Sequence, residues 1–133
     1  SSAGRVLMGL VHRVTLGFVV RRDSNTARTP MSGNDSTLEV YDSSVIPNWK
    51  LVDFMRSTCE QSEIDHQLEV LPRGGTDTSA IQRGARGAAA GCISVPTRYV
   101  HSVIEMVHPK DVEASIKLLA ALIETCKADQ FDL

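Results

Sequence analysis

Three clusters of polar residues follow predicted β-strands in this sequence, and they contain the groups best suited to chemistry. The clusters span Asp23 to Thr26, Gly74 to Asp77, and Thr97 to Ser102, the last with Arg98 and His101. Carboxylate and imidazole groups bind zinc and transfer protons, and glycine lets the backbone approach a ligand closely. Ligands of open α/β sheets lie beyond the carboxyl ends of strands, so each cluster is a candidate binding site. Each also has a purely structural explanation, as a turn, a helix cap or a hydrogen-bonded loop residue.

Several common catalytic and binding arrangements are absent from the sequence. His101 and His108 are seven residues apart, whereas two zinc ligands on one helix face lie one turn apart. No lysine follows Gly74 and Gly75 at the spacing of a phosphate-binding loop. No Gly-x-Ser-x-Gly sequence is present to hold a nucleophilic serine. Nucleotide binding and serine-hydrolase chemistry are therefore poorly supported.

Composition indicates a single globular domain of ordinary size. The chain has 133 residues and a formal net charge of -2, with a pI of about 6.0. Nucleic acids and anionic membrane surfaces attract clustered positive charge, so we expect neither as a partner. No apolar run approaches the roughly 20 residues that a membrane-spanning helix needs.

The cysteines and the first residues bear on location and completeness. Cys59, Cys92 and Cys126 are odd in number and widely spaced, which argues against a disulfide framework and favours a reducing, cytoplasmic location. The sequence opens at Ser1 within an apolar pattern and without a methionine. A natural fragment of a longer protein would begin in this way, and so would a chain shortened for expression.

Local patterns predict alternating strands and helices that position the clusters. The predicted helices begin near Trp49, near Asp77 and at Pro109, and the last is expected to bury an apolar face. The order of elements favours an α/β sandwich with a mixed, largely parallel sheet. The strands are predicted over Val14 to Val20, Thr37 to Tyr41, Gln67 to Leu71 and Ala88 to Val95, and the apolar helix face over Val112, Ile116, Leu119, Leu122, Ile123 and Cys126.

Three longer motifs carry a family resemblance. They are YDSSVIPN at Tyr41 to Asn48, GGTDTSAI at Gly74 to Ile81, and ISVPTRYVHS at Ile93 to Ser102. In this order and spacing they resemble the dinuclear-metal aminopeptidases of the glutamyl aminopeptidase and tetrahedral (TET) family. Some members of that family carry an endoglucanase name. The resemblance implies a three-layer, zinc-exopeptidase-like α/β fold that is incomplete at the amino-terminal side of this chain.

The resemblance also implies roles for individual residues. The histidine that closes the Pro-Thr-Arg-Tyr-x-His segment is a metal ligand in the family, which makes His101 the first metal-ligand candidate. Asp23 is the second, with a shift of about one residue. The family pattern has Asp and Gly where this chain has Arg28 and Met31. The residues expected to bind substrate or to support the metal ligands are Gly75, Thr76, Asp77 and Arg98.

Other parts of the family's site have no counterpart in this chain. The family takes further ligands and its general base from a His-x-Asp motif, another aspartate and a Glu-Glu pair. This sequence contains no His-x-Asp and no adjacent glutamates. A catalytic zinc usually needs about three protein ligands, so His101 and Asp23 cannot hold two metals.

Together these features predict a carboxy-terminal portion, residues 1 to 133, of a cytoplasmic metallo-aminopeptidase catalytic domain. The intact enzyme would use two zinc or cobalt ions to remove amino-terminal residues from peptides, and would form a homo-oligomer. The isolated chain is expected to be inactive. The alternative is a non-catalytic assembly or regulatory relative of the same fold. Carbohydrate hydrolysis is weakly supported, since few aromatic residues are available for sugar stacking.

Overall fold

A computed structural model of the protein describes residues 14–20, 35–71, 76–83, 87–99, 102–127 and 130–131. Within these ranges strands and helices alternate much as the sequence predicts. The elements, in chain order, are β1 (Val14–Val20), β2 (Asp35–Asp42), α1 (Trp49–Gln61), β3 (Asp65–Leu71), α2 (Thr78–Arg83), β4 (Ala89–Val95), β5 (Thr97–Arg98), β6 (Met106–Val107) and α3 (Pro109–Thr125).

The main sheet has four strands in the order β1-β4-β2-β3. β1 runs parallel to β4, and β2 runs parallel to β3. The two pairs join through an antiparallel contact in which Thr37 lies opposite Ser94. The prediction of an α/β fold with a mixed, largely parallel sheet is confirmed.

β4 is the strand on which the core is built. All seven of its residues are buried, as expected for a strand with neighbours on both sides and helices nearby. Gly91 allows α1 to approach, because a Cβ at this position would lie 2.9 Å from Met55 Cε and 3.1 Å from Leu51 Cδ2. The core also includes Leu38 and Leu118, both fully buried.

Helix α1 begins directly after its capping residue, Asn48, which is the last residue of the first family-like motif. The Asn48 side chain accepts a hydrogen bond from the Leu51 N–H at 3.2 Å. The backbone N–H of Asn48 donates to the Ala90 carbonyl at 3.1 Å. The cap therefore fixes both the start of α1 and its attachment to β4.

We expect Asn48→Ala to lower the free energy of unfolding by about 1 kcal/mol, because the first turn loses its side-chain acceptor. The Asn48→Asp variant keeps an acceptor and is the matched control. Urea denaturation followed by circular dichroism measures both. Equal midpoints for the alanine variant and the unaltered chain would contradict the capping role.

The buried face of α3 differs from the predicted apolar face. The predicted Leu122 and Cys126 are buried, but Ile116 is 57% exposed. The helix turns Leu118 toward the core instead, and small or polar residues complete its buried side. The expected face was wrong at Ile116 because an apolar pattern cannot show that Ala114, Ser115 and Asp111 occupy the contact with the sheet.

None of the helices in the described ranges is both long and apolar enough to cross a membrane.

Candidate functional site

The carboxyl ends of β1 and β4 lie side by side at one edge of the sheet. The two strands are parallel, with Val20 in register with Val95. Asp23 follows Val20 by three residues and His101 follows Val95 by six. Asp23 and His101 themselves lie outside the described residues. The two segments that carry the predicted metal ligands therefore begin at the ends of neighbouring strands.

The carboxyl end of β3 lies at the opposite edge. β3 is parallel to β2, and β2 is antiparallel to β4. β3 therefore ends at the edge opposite to the one where β1 and β4 end. A purely parallel sheet would have brought all the strand ends together, and the antiparallel contact in the centre prevents this.

Beyond β3, the described part of the second cluster forms the start of α2. The carbonyl of Thr76 accepts from the Ser79 N–H at 3.2 Å, and that of Asp77 from the Ala80 N–H at 3.1 Å. Thr76 is buried and Asp77 is exposed. Gly75 lies outside the described residues. Both carbonyls are therefore used by the turn and the start of the helix.

A short hairpin follows β4, and the sequence had given no indication of it. Thr97 pairs with Val107 and Arg98 with Met106 in an antiparallel two-stranded sheet. Thr97 is buried, and its Oγ1 donates to the Val95 carbonyl at 3.0 Å. Arg98 is exposed. The two strands of the hairpin therefore flank the stretch of sequence that includes His101. The exposed Arg98 guanidinium is accessible to an anionic ligand group.

The chain between β5 and β6 has an unusual backbone conformation. Tyr99 has a φ of 57°, in the left-handed region that a bulky side chain rarely adopts. Its carbonyl accepts hydrogen bonds from both the backbone N–H and the hydroxyl of Ser102. Sequence patterns do not reveal such a conformation, since tyrosine has no preference for it. Tyr99 and Ser102 belong to the third predicted cluster, but neither was assigned a role of its own.

The described residues include His108 but neither of the two predicted metal ligands. Among them, no group of three or more His, Cys, Asp or Glu side chains is arranged to hold a metal ion. His108, the nearest described histidine in the sequence, caps α3, and its Nδ1 accepts from the Lys110 N–H at 3.2 Å. Imidazole and carboxylate are suitable zinc donors, so the chemistry of His101 and Asp23 fits the group that the motifs imply.

Thiol chemistry is disfavoured because the cysteines are buried. Cys59, Cys92 and Cys126 are free and buried. Burial raises the pKa of the Cys59 thiol to about 11, and the neighbouring Glu60 carboxylate adds to the shift. Burial also raises the pKa of Cys126. Because the thiolate is the nucleophile and metal-binding form, these two groups are inert near neutral pH.

We expect the three cysteines to react slowly with Ellman's reagent at pH 8 in the folded chain and quickly in urea. Burial shields all three thiols, and the raised pKa of Cys59 and Cys126 further lowers the thiolate fraction of those two. A Ser62→Cys variant, at an exposed position, serves as the control and should react at once. Rapid reaction of the unaltered folded chain would contradict the buried placement.

Comparison with known proteins gives a consistent result. A family model described as M42 glutamyl aminopeptidase matches residues 13–118. A lysyl aminopeptidase of Pyrococcus furiosus is 39% identical over 85 residues, which are 63% of this chain and 25% of that protein. A TET aminopeptidase from the marine sediment archaeon Thaumarchaeota archaeon SCGC AB-539-E09 superposes with a TM-score of 0.81 at 29% identity.

A further similar structure is that of a peptidase that forms large assemblies. The TET1 peptidase of Pyrococcus horikoshii, which can assemble into a tetrahedron or a large octahedral shell, has a TM-score of 0.71 and 26% identity. The match covers 90% of this chain and 36% of that one. The thaumarchaeal match likewise covers 91% of this chain and 36% of the other. The chain thus spans little more than a third of these solved chains.

Proposed function

The chain belongs to the M42 glutamyl aminopeptidase family, and from that premise we propose that residues 1 to 133 form the carboxy-terminal portion of a metal-dependent aminopeptidase catalytic domain. In this proposal the chain contributes ligands and substrate contacts to a site that needs further residues. The reaction is hydrolysis of the amino-terminal peptide bond of a peptide.

One observation carries the proposal for this chain's own residues. β1 and β4 are parallel neighbours, with Val20 in register with Val95. The segments leading to Asp23 and His101 therefore start from the same edge of the sheet. Carboxylate and imidazole are both zinc donors, and ligands of open α/β sheets bind beyond the carboxyl ends of the strands. This topology supports Asp23 and His101 as metal ligands.

The remaining predicted residues have supporting roles in the proposal. Arg98 is exposed at the base of the hairpin, where a guanidinium can bind a carboxylate or carbonyl group of a peptide. Gly75, Thr76 and Asp77 lie beside α2 or outside the described residues. We assign them to substrate binding or to support of the ligands.

The proposed site is incomplete within this chain. Zinc or cobalt, when bound as a pair, supplies an activated water and polarises the scissile carbonyl. Asp23 and His101 give fewer ligands than one catalytic zinc needs. The sequence also lacks the adjacent glutamates that provide the general base in the family. We therefore propose that the isolated chain does not hydrolyse peptides.

Assembly and location form part of the same proposal. A solved relative assembles into a tetrahedron or an octahedral shell, and we propose that this chain belongs to a homo-oligomer. Three free cysteines favour a reducing, cytoplasmic location. A formal net charge of -2 gives no electrostatic attraction to nucleic acid or to anionic membranes.

The experiment that tests the proposal is reconstitution. The 133-residue chain is co-expressed with the upstream part of an M42 aminopeptidase that contains the His-x-Asp and Glu-Glu motifs. Release of p-nitroaniline from a panel of aminoacyl p-nitroanilides is then measured with zinc and with cobalt. We expect the reconstituted protein to be active and each part alone to be inactive.

Two results would count against the proposal. Activity of the chain alone would show that it holds a complete site. A stable complex that binds zinc but hydrolyses none of the substrates would favour the non-catalytic assembly or regulatory role. Sequencing upstream of Ser1 gives an independent check, since the proposal predicts that the same reading frame encodes both motifs.

A further inference from the structure

The hairpin that follows β4 exposes four apolar side chains within five residues, Val103, Ile104, Met106 and Val107. Val103 is fully exposed, and Ile104 is 62% exposed. Clusters of exposed apolar side chains in soluble proteins mark surfaces that a partner covers. The apolar side chains of the hairpin are therefore a candidate docking surface.

Both faces of β6 are accessible in the described part of the chain. Met106 and Val107 are consecutive strand residues and point to opposite faces of the ribbon, yet they are 52% and 42% exposed. On the other strand, Thr97 is buried and donates to the Val95 carbonyl at 3.0 Å. A two-stranded ribbon is only marginally stable in water by itself. A partner that covers its apolar side chains would therefore stabilise it.

The hairpin lies at the edge of the sheet where the proposed site needs further residues. β5 begins two residues after the end of β4, and β4 ends beside β1. The match to the thaumarchaeal TET aminopeptidase covers only 36% of that solved chain. Nearly two thirds of that polypeptide therefore has no counterpart here. Its additional chain is a partner large enough to cover the hairpin.

A second copy of this chain fits the surface less well. Glu105 lies in the middle of the four apolar residues and is exposed. A two-fold contact centred on this stretch would bring the Glu105 carboxylates of both copies close together. Like charges repel more strongly where water is excluded. A different surface can instead place a cation or a hydrogen-bond donor opposite Glu105.

We propose that Val103, Ile104, Met106 and Val107 form the surface on which the upstream portion of an M42 catalytic domain docks. The inference rests on the proposed function, in which that portion supplies the missing ligands and the general base. The partner presents apolar side chains to Val103 and Ile104, and a cation or hydrogen-bond donor to Glu105. Docking here brings the upstream portion to the edge where β1 and β4 end.

The test measures how fast the 133-residue chain dissociates from the upstream portion of the Pyrococcus furiosus lysyl aminopeptidase. The two are co-expressed, the upstream portion is immobilised through a tag, and dissociation is followed by biolayer interferometry. Ile104→Asp places a carboxylate in the apolar contact. We expect it to raise the dissociation rate by about 30-fold or more, the effect of losing a central interface residue.

Ile46→Asp is the matched control, because it makes the same substitution at a position that is 74% exposed. Ile46 lies two residues before Asn48, whose N–H donates to the Ala90 carbonyl at the start of β4. The hairpin follows the opposite end of that strand. The dissociation rate of Ile46→Asp should equal that of the unaltered chain.

Folding of the variants is checked separately. Ile104 and Ile46 are exposed, so both variants should keep the urea midpoint of the unaltered chain. If Ile104→Asp lowers the midpoint, Val103→Asp decides the question, since Val103 is fully exposed. We expect it to raise the dissociation rate to a similar degree.

Three results would overturn the proposal. The first is a dissociation rate that is unchanged in Ile104→Asp and Val103→Asp, or equally raised in Ile46→Asp. The second is self-association of the chain alone that Ile104→Asp abolishes in analytical ultracentrifugation, since the surface would then belong to a second copy. The third is that no complex forms. A complex that forms through the hairpin but hydrolyses no substrate counts against the proposed function alone.

Discussion

His101→Ala is expected to lower the activity of the reconstituted enzyme by about 100-fold or more, with loss of zinc from the complex. Removing even a residue that supports a metal ligand commonly costs about 10- to 100-fold in affinity or activity, and removal of a ligand should cost at least as much. Steady-state hydrolysis of an aminoacyl p-nitroanilide and the zinc content of the purified complex measure the two effects together.

His108→Ala is the matched control for that substitution. His108 lies in the same region of the sequence, but its imidazole caps α3 by accepting from the Lys110 N–H. Its loss should lower stability by about 1 kcal/mol and leave zinc content unchanged. The assignment of His101 fails if His101→Ala keeps its full zinc content, or if His108→Ala loses zinc to the same degree.

Leu118→Ala is expected to destabilise the chain by about 2–5 kcal/mol, the range for removing a buried leucine side chain. Leu118 is fully buried in α3, within the cluster that includes Leu38 and Ile93. A folded domain has only about 5–15 kcal/mol of net stability, so the change should be large. Urea denaturation followed by circular dichroism gives the difference.

Ile116→Ala provides the comparison, because the two residues are neighbours on the same helix. Ile116 is 57% exposed, and its substitution should change stability by no more than about 0.5 kcal/mol. A larger loss for Ile116→Ala than for Leu118→Ala would show that α3 packs with the face that its apolar pattern predicts. That result would contradict the packing described here.

Sequence patterns predicted the main elements because each has a strong local signal. The apolar, β-branched run at β1 and the small apolar run at β4 identify strands. Pro109 marks the start of α3, where its missing N–H costs little. Asn48 likewise marks the start of α1. Boundaries that depend on a cap or on a continuous apolar run could be found without a structure.

The features that sequence could not predict depend on contacts between distant segments. The antiparallel contact between β2 and β4 sets which strand ends share an edge, and no local pattern encodes it. Met106 and Val107 form a strand only by pairing with β5. The face of α3 at Ile116 is decided by small and polar residues that fit against the sheet.

For the candidate site too, some features could be predicted from the sequence and others required the structure. The motif around His101 supplies the prediction of a metal ligand, which comes from the family resemblance and stays a prediction. The register between β1 and β4 then relates the segments that lead to Asp23 and His101. The backbone conformation of Tyr99 and the hydrogen bonds of Ser102 came only from the structure. Tyr99 lies two residues before His101 in the sequence, and Ser102 directly follows it.

Native mass spectrometry of the 133-residue chain, stripped of metal and titrated with zinc, tests the central claim most directly. It reads the number of bound metal ions and the assembly state in one spectrum. A portion of the catalytic domain with Asp23 and His101 as its only ligands should bind no zinc, or one weakly held ion, per chain. Two tightly bound zinc ions per chain would show that the site is complete and would contradict the account.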